Sequence, residues 1–558
     1  MFASQARIRT DRAGRYLKQL CEHGDHMIAF PLRHGDSADH TKGRGNGHHD
    51  GTVPPPAARQ IAYSDAEGVI DFGWGRCTLR ADGQELRLHA EAEDHGSLRR
   101  LQDSIAGRLH IIGRRDALAV TWEPMQPGSR AAEIISALMT PEGRADPFSL
   151  YAQAHAAGPV STITDGWFLA SGYTAVDRVL RDPDFGPADR PRQDPDGMAG
   201  DLPSMSRSIL WANPPDHGRM RSLISRVFTA RRVAALRPAI EETVDDLLDG
   251  LAAATADGRP ADFMDRFAFP LPITVICELL GVPVTDRDRF RPLAADLTQA
   301  LELPALTSPP ATPDPGGAGG PDGPDGPVGA AARELAEYFT QLIGERRASP
   351  RGDLLSALVA ARDTDEGRLS DEELLANLIL LLVAGFETTA NLLGNGLAAL
   401  LDHPGVMAEL RTGQSAISGF IEEVLRHDSP VQVTTRTART DDLTIDGMPI
   451  PRGGNVVLLI GAANRDPARY RDPDRFDPVR PDIKPLSFGA GPHICLGNNL
   501  ARLEAAIAFP RLLARFPKIS PVPETPRTRR DRLVLRGLQT LPIHLLQRFP
   551  PPRPRRDR

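Results

Sequence analysis

The spacing of apolar residues changes along the chain at about residue 130. Before that point, short runs typical of β-strands stand between two patterns with helical spacing. The strand-like runs are 68–81, 84–93 and 117–124, and the helical patterns are 15–23 and 97–112. This mixture predicts a small α+β domain over residues 1–125.

After residue 130 the pattern becomes that of a mainly α domain. Long helical spacings continue to about residue 548, and short strand-like runs stand near 430–460. The stretch "MQPGSR" is rich in turn-forming residues, so we place a linker at 126–140. The chain is therefore predicted to be a small α+β domain followed by a mainly α domain with a minor β region at 141–548. A basic tail at 549–558 ends it and is expected to be solvated.

One helix start is marked in detail, in the segment "LSDEELLANLILLLVAGFETTANLL". Ser370 and Glu373 have the spacing of a capping box, and Leu369 and Leu374 have that of a hydrophobic staple. These signals predict that a helix begins at Asp371.

The composition indicates the class of protein. Of 558 residues, 41% are apolar and 25% are charged, as in soluble globular proteins. The net charge of −7 argues against nucleic-acid binding as the main role. The longest apolar run, 378–386, is too short to span a bilayer, and the N-terminus lacks the apolar core of a secretory signal. We therefore expect a cytoplasmic protein without a membrane span.

The four cysteines are far apart in sequence, so no disulfide framework is expected. Cys21 lies close to His23 and His26 and could form part of a metal site, but this spacing is a weak metal signature. A partly buried thiol beside solvated histidines is favoured. A further group of loop histidines is expected to be exposed and inert: His34, His40, His48 and His49.

The segment "FGAGPHICLG" at 488–497 places Cys495 among glycines. The residues after it have apolar positions at helical spacing, so Cys495 is expected near a helix N-terminus, where the exposed N–H groups stabilise a thiolate. The glycines allow a tight turn and a close approach to a flat ligand. A buried cysteine in a glycine-rich turn is the simpler alternative for this segment alone.

This segment resembles the haem-binding loop of the cytochrome P450 superfamily, whose pattern is Phe-Gly-x-Gly-x-His-x-Cys-x-Gly. The resemblance implies a cytochrome P450 fold with haem b as cofactor. It makes Cys495 the axial ligand of the iron, whose electron donation favours O–O cleavage. Four residues of the loop are then expected to contact the haem: Phe488, Gly489, His493 and Gly497.

A second run, "AGFETT", resembles the oxygen-activation motif of the same family. Gly385 removes side-chain bulk where a small molecule could fit against the helix, and Thr388 can donate back to the carbonyl of Ala384. Ala384 and Gly385 are therefore expected to contact the cofactor. By resemblance, Glu387 and Thr388 relay protons to dioxygen. Taken alone, the run would be an ordinary core helix.

Two further groups of residues gain a role from the resemblance. Glu423 and Arg426, one helical turn apart, are expected to form with Arg480 a structural triad that braces the cysteine loop. Cations and donors for the two haem propionates are also expected: His217, Arg221, Arg436 and His493.

The resemblance covers about residues 131–548, with two departures. Pro510 falls inside the helix after Cys495 and should kink it or end it early. The Pro/Gly-rich tract 304–329 is expected to be disordered and to lie between two helices that roof the substrate channel. It is either a tolerated surface insertion, which is favoured, or a mobile lid.

These expectations add up to a soluble haem-thiolate monooxygenase. It would insert one atom of dioxygen into a small organic substrate, with electrons from a separate ferredoxin and ferredoxin reductase. Two alternatives stay open: a haem-thiolate enzyme for desaturation, coupling or rearrangement, and a non-catalytic haem sensor of a small ligand.

The N-terminal region resembles a compact bacterial family without an assigned role. The likeness rests on "RYLKQLCEHGDHM" and on the pair "IDFGWGRC" and "VTWEP". This domain is a candidate binding module for a partner or a redox protein.

Overall fold

The structure is a computed structural model of the chain. It describes residues 2–22, 60–64, 66–82, 84–92, 95–116, 118, 120–125, 129–188, 205–302, 326–364, 369–413 and 416–546. The chain divides into two compact units, Met1–Ser129 and Arg130–Arg558.

The first unit is a six-stranded antiparallel sheet with two helices. The strands have the order β2-β3-β4-β5-β1-β6. They are β1 Phe2–Arg9, β2 Gln60–Tyr63, β3 Glu67–Asp71, β4 Gly75–Asp82, β5 Glu85–Ala92 and β6 Glu123–Met125, and the helices are α1 Ala13–Glu22 and α2 His95–Ile112. Leu17, Leu79 and Leu101 are fully buried between sheet and helices. The predicted α+β domain is confirmed.

Strand β1 was not predicted. Its Ala6 and Ile8 are buried while Arg7 and Arg9 are exposed, which is the alternation of a strand with one face on the core. Alanine and arginine are weak strand formers, so pairing with β5 and β6, rather than local preference, decides this segment.

The weak metal hypothesis in this unit rests on one described residue. Cys21 is buried, and burial raises the pKa of its thiol to about 11. His23, His26 and the four loop histidines lie outside the described residues. Among the residues that are described, no group of three histidine, cysteine or acidic side chains is placed to hold a metal ion.

The second unit is mainly helical, as predicted. Its α-helices are α3 Arg130–Leu138, α4 Pro141–Ala145, α5 Phe148–Ala156, α6 Tyr173–Arg181, α7 Asp216–Val227, α8 Ala230–Ala235, α9 Arg237–Ala254, α10 Pro270–Leu280, α11 Phe290–Leu297, α12 Pro327–Ala348, α13 Leu354–Thr364, α14 Asp371–Asp402, α15 Pro404–Thr412, α16 Ile417–His427, α17 Ile460–Ala463 and α18 Asn498–Arg515. Its strands are β7 Val160–Thr164, β8 Trp167–Ala170, β9 Phe185–Gly186, β10 Ala261–Asp262, β11 Val433–Ala438, β12 Leu443–Ile445, β13 Met448–Ile450, β14 Asn455–Leu459, β15 Lys518–Pro521, β16 Thr528–Arg529, β17 Leu538–Thr540 and β18 Pro542–Leu546.

The principal sheet of this unit has the order β7-β8-β14-β11-β9. β8 and β14 run parallel, and the other neighbours are antiparallel. Its strands β11 and β14, and the separate two-stranded sheet of β12 and β13, are the short strands expected near 430–460. Strand β11 carries Arg436, opposite Val456 on β14.

Helix α14 is the centre of the second unit. It begins at Asp371, and the capping box is complete: Ser370 Oγ accepts from the N–H of Glu373 at 3.0 Å, and Glu373 Oε2 accepts from the N–H of Ser370 at 2.9 Å. Leu369 and Leu374 are both buried in the core. Glu373 also pairs with Arg219 at 2.6 Å and so ties α7 to the start of α14.

The length and apolar character of α14 also match those of a membrane-spanning helix. It is the one such helix among the described residues, and 67% of its most apolar stretch is buried inside the protein. Core helices of soluble proteins share these properties, so the match is weak evidence for a membrane span.

Three local predictions differ from the structure. Helix α3 occupies most of the predicted linker, because Ile134 and Leu138 pack into the core of the second unit. Helix α12 begins at Pro327, inside the tract predicted as disordered, and 303–325 lie outside the described residues. Helix α18 continues past Pro510 to Arg515, so the early end is wrong; buried neighbours such as Phe509 hold the helix together.

Removal of the cap on α14 tests the helix start. Ser370→Ala leaves the N–H of Glu373 without its acceptor, and we expect the free energy of unfolding in urea to fall by about 1 kcal/mol. The control is Ser225→Ala on the exposed side of α7, which should change it by less than about 0.5 kcal/mol. An equal effect of the two substitutions would contradict the capping role.

Candidate active site

A cavity of about 350 Å³ lies in the second unit, between α7, α14, β11 and the segment that leads into α18. Nearly all predicted catalytic and cofactor-binding residues line it. Those residues are His217, Arg221, Ala384, Gly385, Thr388, Arg436, Phe488, Gly489, His493, Cys495 and Gly497. Side chains more than 250 residues apart in sequence therefore meet in one place, and Glu387 is the exception.

The cysteine loop is shaped by its glycines. Gly489 and Gly491 have φ values of 67° and 64°, in the left-handed region that favours glycine. A Cβ on Gly491 would also lie 2.4 Å from the carbonyl oxygen of Leu180. The N–H of Cys495 donates to the carbonyl oxygen of Phe488 at 2.9 Å and closes the loop.

The Cys495 side chain is exposed towards the cavity, while the protein atoms around it remove part of the hydration of the thiol. Burial raises its pKa, whereas the N–H groups of Gly497 and Asn498 and the charges of Arg221 and Arg502 act to lower it. Helix α18 begins at Asn498, so the prediction that Cys495 sits near a helix N-terminus is confirmed.

Basic side chains line one side of the cavity without acidic partners. Arg436 is partly buried, and the loss of hydration lowers its pKa to about 10; its side chain donates to Thr434 and to the carbonyl of Thr435. Arg221 is partly buried, and burial lowers its pKa too. Among the described residues neither guanidinium pairs with a carboxylate, an arrangement that an anionic ligand would stabilise.

Two histidines complete this basic side. The ring centroids of His217 and His493 are 4.0 Å apart. Burial, followed by the neighbouring cations, lowers the pKa of both rings, that of His493 to about 3. Nε2 of His217 is buried and makes no hydrogen bond within the described structure, so it is available to a ligand.

One face of α14 forms the wall that carries the "AGFETT" run. Thr388 Oγ1 donates to the carbonyl oxygen of Ala384 at 2.7 Å, as predicted. Gly385 also lines the cavity, but a Cβ there would lie 3.4 Å from Ile276. That is an ordinary van der Waals distance, so the packing of α10 does not by itself require a glycine here.

Glu387 points away from the cavity wall into a buried ionic network. Its carboxylate accepts from Arg530 at 2.8 Å and from Arg532 at 3.0 Å. Arg532 also donates to Thr298 Oγ1 at 2.6 Å. These two arginines were not predicted from the sequence, because they lie 143 or more residues from Glu387 in a segment without a recognised motif.

The predicted structural triad is assembled. Arg426 donates to both carboxylate oxygens of Glu423 at 2.7 Å, and both side chains are fully buried. Arg480 Nε lies 3.8 Å from Glu423, and its guanidinium donates to nearby backbone carbonyls.

Hydrogen bonds connect this pair to the cysteine loop. Arg426 donates to the carbonyl oxygen of Asn464 at 3.0 Å. The Asn464 side chain accepts from the N–H of Leu486 at 2.7 Å and donates to Ser487 Oγ at 2.9 Å. Ser487 directly precedes Phe488, the first residue of the loop, so the pair fixes where the loop starts.

Glu504 also lines the cavity and was not predicted. It is buried, its Oε2 makes no hydrogen bond within the described structure, and burial raises its pKa well above the usual value. One sequence feature could have indicated Glu504: it is an acidic residue one turn after Leu500, inside the apolar stripe of a helix.

The cavity fits haem b by the chemistry of its donors. Haem presents two carboxylates and an iron atom that takes an axial ligand from the protein. The unpaired guanidiniums of Arg221 and Arg436 and the free Nε2 of His217 suit the carboxylates, and the Cys495 thiol suits the iron.

Comparison with known proteins agrees with this fit. The family described as "Cytochrome P450" matches residues 147–545. The chain belongs to the cytochrome P450 family. It is therefore a cytochrome P450 monooxygenase that uses haem b.

Two characterised relatives are bacterial enzymes. The chain is 40% identical over 404 residues to cytochrome P450 monooxygenase PikC of Streptomyces venezuelae, covering 72% of this chain and 91% of that protein. It is 36% identical to 6-deoxyerythronolide B hydroxylase of Saccharopolyspora erythraea, covering 72% and 96%. A solved structure of P450BioI with a fatty-acyl-ligated acyl carrier protein is 34% identical, with a TM-score of 0.64 and coverage of 73% and 100%.

Residues 57–123 match a second family, described as "Uncharacterized protein conserved in bacteria (DUF2218)". The resemblance of the N-terminal region to a bacterial family without an assigned role is thereby confirmed.

The buried pair predicts a large effect of Arg426→Ala. Loss of the guanidinium leaves the Glu423 carboxylate buried without its charge partner, and we expect about 3–5 kcal/mol of lost stability and a lower haem content. Urea unfolding and the ratio of Soret to protein absorbance measure the two effects.

Arg471→Ala is the matched control, because the side chain of Arg471 is 96% exposed in the same region. It should leave both quantities unchanged. Normal stability and haem content in Arg426→Ala would contradict the bracing role.

Proposed function

We propose that this cytochrome P450 inserts one atom of dioxygen into a small, largely apolar organic substrate in the cytoplasm. Electrons come from a separate ferredoxin and ferredoxin reductase. The observation that carries the proposal is the convergence of the Cys495 thiol, two unpaired guanidiniums and the Thr388 hydroxyl on one cavity.

In this proposal the Cys495 thiolate would hold the haem iron. When bound there, haem supplies the redox chemistry that activates dioxygen, and the protein supplies ligand, protons and pocket. The N–H groups of Gly497 and Asn498 and the guanidinium of Arg502 stabilise negative charge on the sulfur. Arg502 is held for this purpose by Glu422 at 2.5 Å and by the ring of Phe488, 4.5 Å away.

The haem carboxylates would be held by four side chains of the cavity: Arg221, Arg436, His217 and His493. Charge-assisted hydrogen bonds from buried donors orient a flat ligand as well as bind it. The rings of His217 and His493 are uncharged near neutral pH before haem binds, because burial and the two guanidiniums lower their pKa values. Each ring would donate an N–H to a carboxylate beside the two permanent cations.

Thr388 and Glu387 divide the handling of protons. Thr388 Oγ1 donates to Ala384 and faces the cavity, so its oxygen can accept and pass on a proton there. The Glu387 carboxylate is paired with Arg530 and Arg532, so it would take up a proton from solvent and pass it towards Thr388 only after it is released from these two arginines.

The cavity wall supports an apolar substrate. Apart from the donors assigned to haem, its described residues are mainly hydrophobic, among them Ile209, Leu380 and Val534. A wall of this kind favours apolar or semi-polar molecules, because a charged group would lose its hydration without a partner. The relatives named as a monooxygenase and a hydroxylase support hydroxylation as the reaction.

Consumption of reductant tests the function directly. The purified holoprotein is supplied with a surrogate ferredoxin and reductase, and substrates are first selected by their shift of the haem spin state. We expect substrate-dependent NADPH oxidation and a product whose mass is greater by one oxygen atom. Spin-state ligands that never stimulate NADPH oxidation would instead favour a haem sensor.

Two substitutions at Thr388 test the proton path. Thr388→Ala removes the hydroxyl, and we expect NADPH oxidation to continue while product per NADPH falls about tenfold and hydrogen peroxide rises. Thr388→Ser keeps a hydroxyl and should retain most of the coupling. Equal coupling in the two variants would contradict the role of the hydroxyl.

A further inference from the structure

A second, larger cavity lies in the same unit. It is an open cleft of about 770 Å³, formed by the end of α7, by α8, by the end of α10 and by the loop between α12 and α13. The two cavities share no lining residue. The cleft is therefore separate from the haem site, and nothing in the proposed reaction uses it.

The cleft is strongly basic. Its arginines are Arg226, Arg231, Arg232, Arg287, Arg346 and Arg351, and its described acidic residues are Glu278 and Asp353. The chain as a whole has a net charge of −7, so a positive surplus here is a local feature and does not reflect composition.

Both carboxylates are already paired with arginines at the base of the cleft. Asp353 accepts from Arg346 at 2.7 Å, and Arg346 is buried and also donates to the carbonyl oxygen of Gly281 at 2.5 Å. Glu278 pairs with Arg287. These contacts fix the floor of the cleft and engage both of its described carboxylates.

Two other arginines of the cleft have free guanidiniums. The side chains of Arg231 and Arg351 are exposed and make no hydrogen bond or ion pair within the described parts of the chain. Arg232 donates to the carbonyl of Val227 at 3.3 Å, which uses one of its five N–H donors. Forked donors of this kind suit the oxygens of phosphate and carboxylate groups.

We propose that this cleft binds a small polyanion, a molecule with phosphate or carboxylate groups and an apolar part. The concave shape and a volume of about 770 Å³ match those of small-molecule pockets. The apolar part would contact Val227, Leu236 and Val282, which line the same cleft. The flat face of an acidic protein fits a concave site less well.

Calorimetric titration of the holoenzyme tests the proposal with two probes, inorganic pyrophosphate and citrate. At low ionic strength we expect at least one probe to bind with a stoichiometry near one, and its affinity to fall as salt is added. Preference for pyrophosphate identifies phosphate as the recognised group, and preference for citrate identifies carboxylate.

Variants locate the site. Arg231→Gln combined with Arg351→Gln should weaken the bound probe about tenfold or more, because both charged forks are lost. Arg452→Gln is the matched control, since Arg452 is equally exposed, also lacks a partner within the described residues, and lies outside the cleft. An unchanged Soret spectrum and circular dichroism verify that each variant is folded.

Three results would overturn the proposal. The first is that neither probe binds the wild-type holoenzyme. The second is that Arg452→Gln weakens binding as much as the double variant, which indicates diffuse charge attraction. The third is that an acidic protein binds through Arg231 and Arg351 while both small probes fail.

Discussion

A fully buried ion pair holds the cysteine loop in place. Glu423 and Arg426 have no contact with solvent, and the guanidinium is satisfied by both carboxylate oxygens and by backbone carbonyls of Asn464, Pro473 and Arg475. Such a pair is costly to bury and more costly to break, so it binds the segments around it into one arrangement. Through Asn464 the arrangement extends to Leu486 and Ser487, where the loop starts.

The cavity presents the opposite electrostatic situation. Arg221 and Arg436 are buried to different degrees, and no described carboxylate pairs with either. The charge of Arg426 is thus neutralised within the protein, whereas the charges of Arg221 and Arg436 are left for a ligand. A site for an anionic cofactor requires both: a structural ion pair that needs no ligand, and cavity arginines that still lack a carboxylate.

The parts of the fold and of the site that were predictable are those marked by sequence motifs. The capping box at Ser370 predicted the start of α14 to the residue. The family resemblance of four separate runs, the loop around Cys495 among them, predicted which distant residues meet. Contacts between segments without motifs were not predictable: Arg530 and Arg532 on Glu387, and Glu504 beside the cavity, depend on tertiary packing alone. Strand β1 and the uninterrupted α18 show the same limit, since packing overrides a weak strand preference and an internal proline.

The most direct test of the central claim, that Cys495 binds the haem iron, is the carbon monoxide difference spectrum of the reduced protein. Wild-type protein should give the red-shifted Soret band of thiolate ligation, and so should Cys277→Ala, a change at the other cysteine of the same unit, which is buried away from the cavity. Cys495→Ser should lose either that band or the haem itself. A red-shifted band that persists unchanged in Cys495→Ser would contradict the account.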